Sequence, residues 1–201
     1  SIDIGVVPTP VVYWAIQHLD ADGSVAITGS HNPADYNGFK LTLLGRSLFG
    51  EDIQKLRQSM ETEDYVDGSA EHQNIDVVES YLDELATNLK PLGRPLKVVV
   101  DAGNGVGGIT AVPLFERMGC EVIQLFCELD GTFPNHHADP TVEKNLADLK
   151  RSVLEHDADI GLAFDGDADR IGVVDRNAEV IWGDKLMILL SRALLREEPG
   201  A

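Results

Sequence analysis

The stretch Ile160-Gly161-Leu162-Ala163-Phe164-Asp165-Gly166-Asp167-Ala168-Asp169-Arg170 decides how this chain is read. Its first five residues form an apolar run of the kind that makes a buried strand. Three carboxylates then leave that strand at alternate positions. On an extended backbone, alternate side chains share one face. Two like charges about 4 Å apart repel by roughly 4 kcal/mol at an effective dielectric near 20. The trio must therefore be solvated, partly protonated or neutralised by a cation. Aspartate oxygens suit a hard ion, Mg²⁺ or Ca²⁺.

Other readings use the same residues. A polar turn ending a strand would leave the acids simply solvated. An EF-hand loop also begins D-x-D-x-D, but it needs Gly at its sixth position and Glu at its twelfth. This chain has Arg170 and Arg176 there. Asp165 as nucleophile with Asp167 as acid/base is similar to the haloacid-dehalogenase pattern. That family draws further lysine and acidic motifs from well downstream, and only a short tail follows here.

The chain has 201 residues and 43% hydrophobic content, enough for one large or two small domains with real cores. A formal charge of −18 argues against nucleic acid or an anionic membrane as partner. It leaves room for a phosphorylated substrate, since a few local cations and a metal override the global field. No apolar run reaches bilayer-spanning length, and no signal peptide or lipidation motif is visible. Cys120 and Cys127 flank a predicted strand, too far apart to bridge, which fits a reduced, cytoplasmic protein. Ser1 stands almost directly against an apolar strand at residues 4–7, so the chain reads as starting inside a longer protein.

Pro8-Thr9-Pro10 breaks that strand, and residues 11–20 have helical spacing. Residues 24–28 and 39–44 read as strands, 51–60 as a helix, and 61–74 as an acidic linker or exposed loop. A βα rhythm follows: helix 75–89, strand 96–100, helix 109–118, strand 121–126, a polar loop 128–140, helix 142–156 and strand 160–164. Residues 171–175 and 180–182 pair as a hairpin, and Asp184 or a neighbour caps a last helix over 185–196. Alternating strands and helices predict an α/β fold with mixed, largely parallel sheets.

A second motif, Val25-Ala26-Ile27-Thr28-Gly29-Ser30-His31-Asn32-Pro33, sets a serine at the mouth of a strand. In open α/β sheets the loops beyond the carboxyl ends of strands build the ligand crevice. Asn37-Gly38 is a tight turn that returns Lys40 towards that loop, gathering a hydroxyl, an imidazole and an ammonium. Ser, Asn and Pro also populate turns for backbone reasons alone. No G-x-S-x-G elbow supports a serine hydrolase.

Thr28-Gly29-Ser30-His31-Asn32-Pro33 with Tyr36-Asn37-Gly38-Phe39-Lys40 resembles the phosphoserine loop of the α-D-phosphohexomutase family. Asp165-Gly166-Asp167-Ala168-Asp169-Arg170 resembles its metal loop, and the resemblance covers most of the chain. The T-G-S-H-N-P start favours the bacterial phosphomannomutase/phosphoglucomutase branch over phosphoglucosamine mutases, whose loop more often reads S-A-S-H-N-P. The resemblance implies a phosphoryl group on Ser30, and Mg²⁺ held by Ser30, Asp165, Asp167 and Asp169. It implies transfer to a hexose phosphate through a bisphosphate intermediate, interconverting mannose or glucose 1- and 6-phosphates. Lys40 is then the candidate general acid/base. His31 positions the phosphoserine, and Arg170 and Asn32 bind phosphate. Phosphoserine would add about −1.5 to −2 charge beside three carboxylates, a cluster that needs a divalent cation.

A complete family member has four domains. Its sugar-selecting loop, typically G-E-x-S-G-H, and its phosphate-anchoring loop are both absent here. The resemblance implies a monomeric, truncated member: residues 1–75 the latter part of domain I, 76–180 domain II, and 181–201 the first helix of domain III. Such a piece would bear half an active site and turn over little or nothing without its remaining domains.

Two rivals remain open. Gly103-Asn104-Gly105-Val106-Gly107-Gly108 follows a strand, precedes a helix and has Glu128 about 20 residues on, the fingerprint of an NAD-dependent oxidoreductase. Asp101 at that strand's mouth would repel a pyrophosphate. The other rival is a metal- or phosphosugar-binding module without turnover. Asn135-His136-His137-Ala138-Asp139-Pro140 reads as a loop and helix entry rather than a metal site, and Trp14 and Trp182 as packing residues. The mutase reading requires Ser30 Oγ within roughly 4–7 Å of an Asp carboxylate, with Lys40 and Arg170 at the cleft rim. The nucleotide reading requires the cleft over residues 103–108 with Ser30 remote.

Overall fold

A computed structural model describes residues 1–201. The chain opens with β1 (Ile2–Asp3), which pairs in parallel with β5 (Gln73–Asn74). Residues 4–7, expected as the strand, are not one. The Asp3 carboxylate accepts the Gly5 N–H at 2.8 Å, and Gly5 has φ +74°, so the chain turns away there. Helix α1 (Thr9–His18) starts two residues earlier than expected. Pro10 lies in its first turn, where a missing N–H costs nothing.

Three antiparallel strands follow: β2 (Gly23–Ile27), β3 (Phe39–Leu43) and β4 (Arg46–Ser47). Leu44 and Gly45 both have positive φ, the two-residue turn whose twist suits a hairpin. β2 has a strand neighbour on one side only, and β1 likewise. A cavity of about 850 Å³ lies between them, lined by residues 1–7, α1 and β2. Val25, Ile27 and Phe39 share one exposed face of this sheet.

Helix α2 (Glu51–Glu61) matches expectation and buries no residue fully; Ile53 is partly covered. Helix α3 (Val78–Asn88) begins three residues late, because β5 occupies 73–74 and Asp76 caps the Val78 N–H at 3.0 Å. Trp14 packs its indole on His18 and edge-on to Tyr81, and donates to Glu84 at 3.1 Å, fastening α1 to α3.

The remaining strands are β6 (Lys97–Asp101), β7 (Glu121–Leu125), β8 (Ile160–Phe164), β9 (Ile171–Asp175) and β10 (Val180–Ile181), in the order β10-β9-β8-β6-β7. β6 is parallel to both neighbours, and β8-β9-β10 is antiparallel. Helices α4 (Gly108–Arg117) and α5 (Ala147–Glu155) cover opposite faces. Val99 points to Leu146, Leu149 and Val153, whereas Val98 and Val100 point to Ala111 and Val112. A strand buried on both faces reads as a continuous apolar run, as Val98–Val100 does. The helix expected over 142–156 is instead a 3₁₀ turn (Glu143–Leu146) running into α5. Asn145 is tied back to the Asp139 carbonyl at 2.9 Å. Helix α6 (Gly183–Glu197) has Trp182 at its N-cap, 42% exposed, so neither the Asp184 cap nor a packed Trp182 is realised. No helix is long and apolar enough to cross a membrane. Both cysteines are free thiols, and burial pushes Cys127 up to about 11.

At the end of β6 the Asp101 side chain is fully buried, and His136 Nε2 lies 3.0 Å from its Oδ2. The hydrogen bond that His136 donates to Asp101 raises the His136 pKa against the opposing effect of burial. A raised folded value means the stabilisation is complete below the ordinary value near 6.5 and is lost as pH rises through the elevated one. The unfolding free energy of wild type relative to His136→Gln is therefore expected to be larger at about pH 5.5 than at about pH 9. Urea titrations at both pH values check this; an unchanged gap would show that the pair carries no net charge coupling.

Candidate metal and phosphoryl site

The acidic trio converges by a turn, not by an extended face. Asp165 Oδ1 accepts the N–H groups of Asp169 and Arg170, each at 3.0 Å, and Ala168 adopts φ +57°. The strand thus ends because Asp165 closes the chain on its own carboxylate. One oxygen from each of Asp165, Asp167 and Asp169 lies within 4.8 Å of the others. Asp165 and Asp167 are buried, while Asp169 faces solvent.

The serine loop leaves the carboxyl end of β2 as the acidic turn leaves that of β8. Ser30 has φ +51°, and its N–H donates to Thr28 Oγ1 at 2.8 Å. A non-glycine residue in that region carries strain that concentrates at functional positions. Ser30 Oγ donates to Asp165 Oδ2 at 2.8 Å. This is closer than expected, because the hydroxyl bonds the carboxylate directly.

Lys40 is not at the rim. Its Nζ lies 2.5 Å from both Asp167 Oδ2 and Asp169 Oδ2, so it sits inside the cluster as counter-charge. Arg170 is half exposed, as expected at a rim, and donates to His31 Nδ1 at 3.0 Å. His31 Nδ1 lies 3.3 Å from Ser30 Oγ. Asn32 uses its backbone N–H to close the loop onto the Gly29 carbonyl, and its side chain is exposed and makes no bond to the trio. Sequence reasoning missed Thr9. Its hydroxyl donates to Asp167 Oδ2 at 2.7 Å and its N–H to the Asp167 carbonyl at 3.0 Å. The signal available was a hydroxyl at the first turn of α1, inside a tripeptide that reads as a breaker.

Electrostatics separate the acids. Burial pushes Asp165 above the usual carboxylate range, and the neighbouring charges of Asp167 and Asp169 add to this. Burial also acts upward on Asp167, but the hydrogen bonds from Lys40 and Thr9 hold it below that range. Desolvation lowers Lys40, yet the two aspartates outweigh it and raise its pKa. Asp167 Oδ1 is buried with no hydrogen-bond partner. An unpaired buried carboxylate oxygen among two further acids fits a hard cation.

The glycine-rich stretch 103–108 is covered, not open. A Cβ at Gly105 would lie 2.7 Å from the Gly166 carbonyl oxygen, and one at Gly108 would lie 2.5 Å from that of Cys127. Asp101 accepts the Gly103 N–H there at 2.9 Å. The crevice that the NAD-dependent reading requires is filled by protein. The 850 Å³ cavity touches Thr9, Val106, Gly166 and Asp167 at one end but is not lined by Ser30, His31, Lys40 or Arg170.

Two family descriptions match this chain: Phosphoglucomutase/phosphomannomutase, alpha/beta/alpha domain I, over residues 1–67, and domain II over residues 79–179. A phosphomannomutase/phosphoglucomutase of Pseudomonas aeruginosa is 46% identical over 199 residues, which are 99% of this chain and 43% of that protein. A phosphoglucomutase of Neisseria meningitidis is 46% identical over 202 residues, 100% of this chain and 44% of that protein. A crystal structure of a phosphoglucomutase/phosphomannomutase family protein from Burkholderia thailandensis superimposes with a TM-score of 0.95 at 42% identity, covering 100% of this chain and 45% of that one. The chain spans less than half the length of these relatives. A serine and three aspartates that meet from two sheets, on a backbone shared with these proteins, place the chain in the phosphoglucomutase/phosphomannomutase family of α-D-phosphohexomutases.

Proposed function

We propose that this chain carries the phosphoryl-transfer half of a hexose-phosphate mutase. The observation that carries the reading is the 2.8 Å contact between Ser30 Oγ and Asp165, residues 135 apart in sequence. Ser30 holds the phosphoryl group at rest. A hydroxyl of mannose or glucose phosphate attacks phosphorus as the bond to Ser30 Oγ breaks. The resulting bisphosphate reorients and returns its other phosphoryl group to Ser30. The net change interconverts 1- and 6-phosphates. Asp165, Asp167 and Asp169 would hold Mg²⁺. The ion supplies positive charge against the phosphoserine and the transferring group.

Lys40, held in its acid form by Asp167 and Asp169, suits the step that returns the phosphoryl group to Ser30. It gives a proton to the departing sugar oxygen and takes one back in the reverse direction. His31 orients the serine, and Arg170 with Asn32 offers donors to a substrate phosphate at the open side. We assign residues 1–75 to domain I, 76–180 to domain II and 181–201 to the start of domain III. The sugar and second phosphate contacts then come from the parent enzyme's remaining domains, and the 201-residue chain alone has little turnover.

Mass spectrometry after incubation with a hexose 1,6-bisphosphate tests the reading, with one phosphoryl group expected on Ser30. Metal binding is tested by calorimetry with Mg²⁺. Asp167→Asn is expected to weaken it by about tenfold or more, the scale on which even residues behind a ligand act. Glu197→Gln, which only frees the surface residue Lys90, should leave it unchanged. Equal affinities in the two variants would return the trio to a solvated turn.

A further inference from the structure

We propose that Asp101, Asn104 and His136 are positioning residues of the acidic turn, acting through the backbone of residues 103–106. The inference rests on the metal reading of Asp165, Asp167 and Asp169 given above. It starts from Gly166, the residue between two of those acids. Its carbonyl accepts the Val106 N–H at 3.1 Å, and Gly105 presses on it so closely that a Cβ there would meet its oxygen at 2.7 Å and its Cα at 2.8 Å. The place of Gly166, and so the spacing of its two flanking carboxylates, is set by where residues 105 and 106 lie.

Those residues are fixed by a polar latch that touches neither Ser30 nor the trio. The buried Asp101 carboxylate accepts the Gly103 N–H at 2.9 Å and faces His136 Nε2 at 3.0 and 3.1 Å. The His136 ring stands edge-on to Phe126, 5.4 Å between centroids, and its Nδ1 lies 3.0 Å from the His137 carbonyl. Both ring nitrogens are therefore engaged, and the ring cannot turn without losing a bond. Asn104, at φ +62°, is held from three sides. Its N–H donates to the Phe126 carbonyl at 2.7 Å, its Nδ2 to the Glu128 carbonyl at 2.9 Å, and its Oδ1 accepts from Asn135 at 2.7 Å. The loop 126–136 thus grips the backbone of 103–104, and 105–106 grips Gly166. A buried charge held by a histidine and a backbone N–H is costly to keep where packing alone is needed. Here it fixes a backbone to hydrogen-bond precision beside a ligand turn, the role that groups behind metal ligands have elsewhere.

The test is a Mn²⁺ titration followed by electron paramagnetic resonance, on wild type, Asn104→Gly, His136→Ala and His136→Gln, with thermal unfolding of each variant without metal. Asn104→Gly keeps the backbone angle open and deletes only the side-chain bonds, so it folds even if His136→Ala does not. Asn104→Gly and His136→Ala should bind Mn²⁺ about tenfold more weakly or worse, with a changed bound-ion line shape. His136→Gln, whose amide can still donate to Asp101, should recover most of the affinity. A purely structural latch predicts a lower unfolding temperature with Mn²⁺ affinity and line shape unchanged in the folded Asn104→Gly protein, and that result overturns the inference. A wild type that does not take up Mn²⁺ overturns the metal reading itself, and this inference with it.

Discussion

Ser30→Ala is expected to abolish phosphoryl uptake from a hexose 1,6-bisphosphate and to cut interconversion in the full-length enzyme by about 10,000-fold or more, as loss of a covalent nucleophile does elsewhere. The reason is local. One other side-chain hydroxyl bonds the trio, that of Thr9, and it is 2% exposed and aimed at Asp167 Oδ2. It is locked at the start of α1 by its own N–H bond to the Asp167 carbonyl, so it cannot replace Ser30. Thr9→Val is the matching control and should still accept the phosphoryl group. Intact-mass spectra of the two variants after incubation decide the matter. A phosphoryl group on the Ser30→Ala chain would show that the carrier lies elsewhere.

Gly166→Ala is expected to disable the site by a different route. Its new methyl would lie 2.1 Å from the Ser30 carbonyl oxygen, a clash of backbone with Cβ that no side-chain rotation relieves. The other side of the turn is pinned by Val106 and Gly105, so one loop must move by about 1 Å. Misplacement on that scale costs about 100-fold in rate, and overpacking of this kind costs about 1–3 kcal/mol of stability. Denaturant unfolding and the rate of Ser30 phosphorylation measure the two effects separately. A variant with wild-type values of both would mean that the turn yields more freely than its neighbours indicate.

The βα alternation and the apolar runs at 98–100 and 160–164 made the larger sheet legible, because a strand buried on both faces leaves a continuous signature. The two-residue strands β1 and β5 lie about 70 residues apart with no connecting turn to announce them, unlike β10 in its hairpin, so their pairing was hidden inside polar and turn-like sequence. The acids were found for a partly wrong reason: they converge because Asp165 caps the turn, which charge spacing alone does not reveal. Lys40 was visible as a motif residue, but its place between Asp167 and Asp169 depends on how β3 packs against the turn. Thr9 and the latch around Asp101 were out of reach. Their roles arise from contacts over 158 and 35 residues of separation, and neither motif carries a spacing that announces its partner.

Taken by itself, the 201-residue chain leaves β2 half-paired, and this bears on how a preparation of this chain behaves in concentrated solution. A strand with one open edge beside an apolar face of Val25, Ile27 and Phe39 is a template on which another polypeptide can stack. What opposes such stacking is mutual repulsion between copies that each carry a formal charge of −18. That repulsion reaches only about 8–10 Å at physiological salt and about 3 Å at 1 M. Colloidal stability is therefore set by ionic strength more than by folding: dilute buffer keeps the chains apart, and salt lets open edges meet.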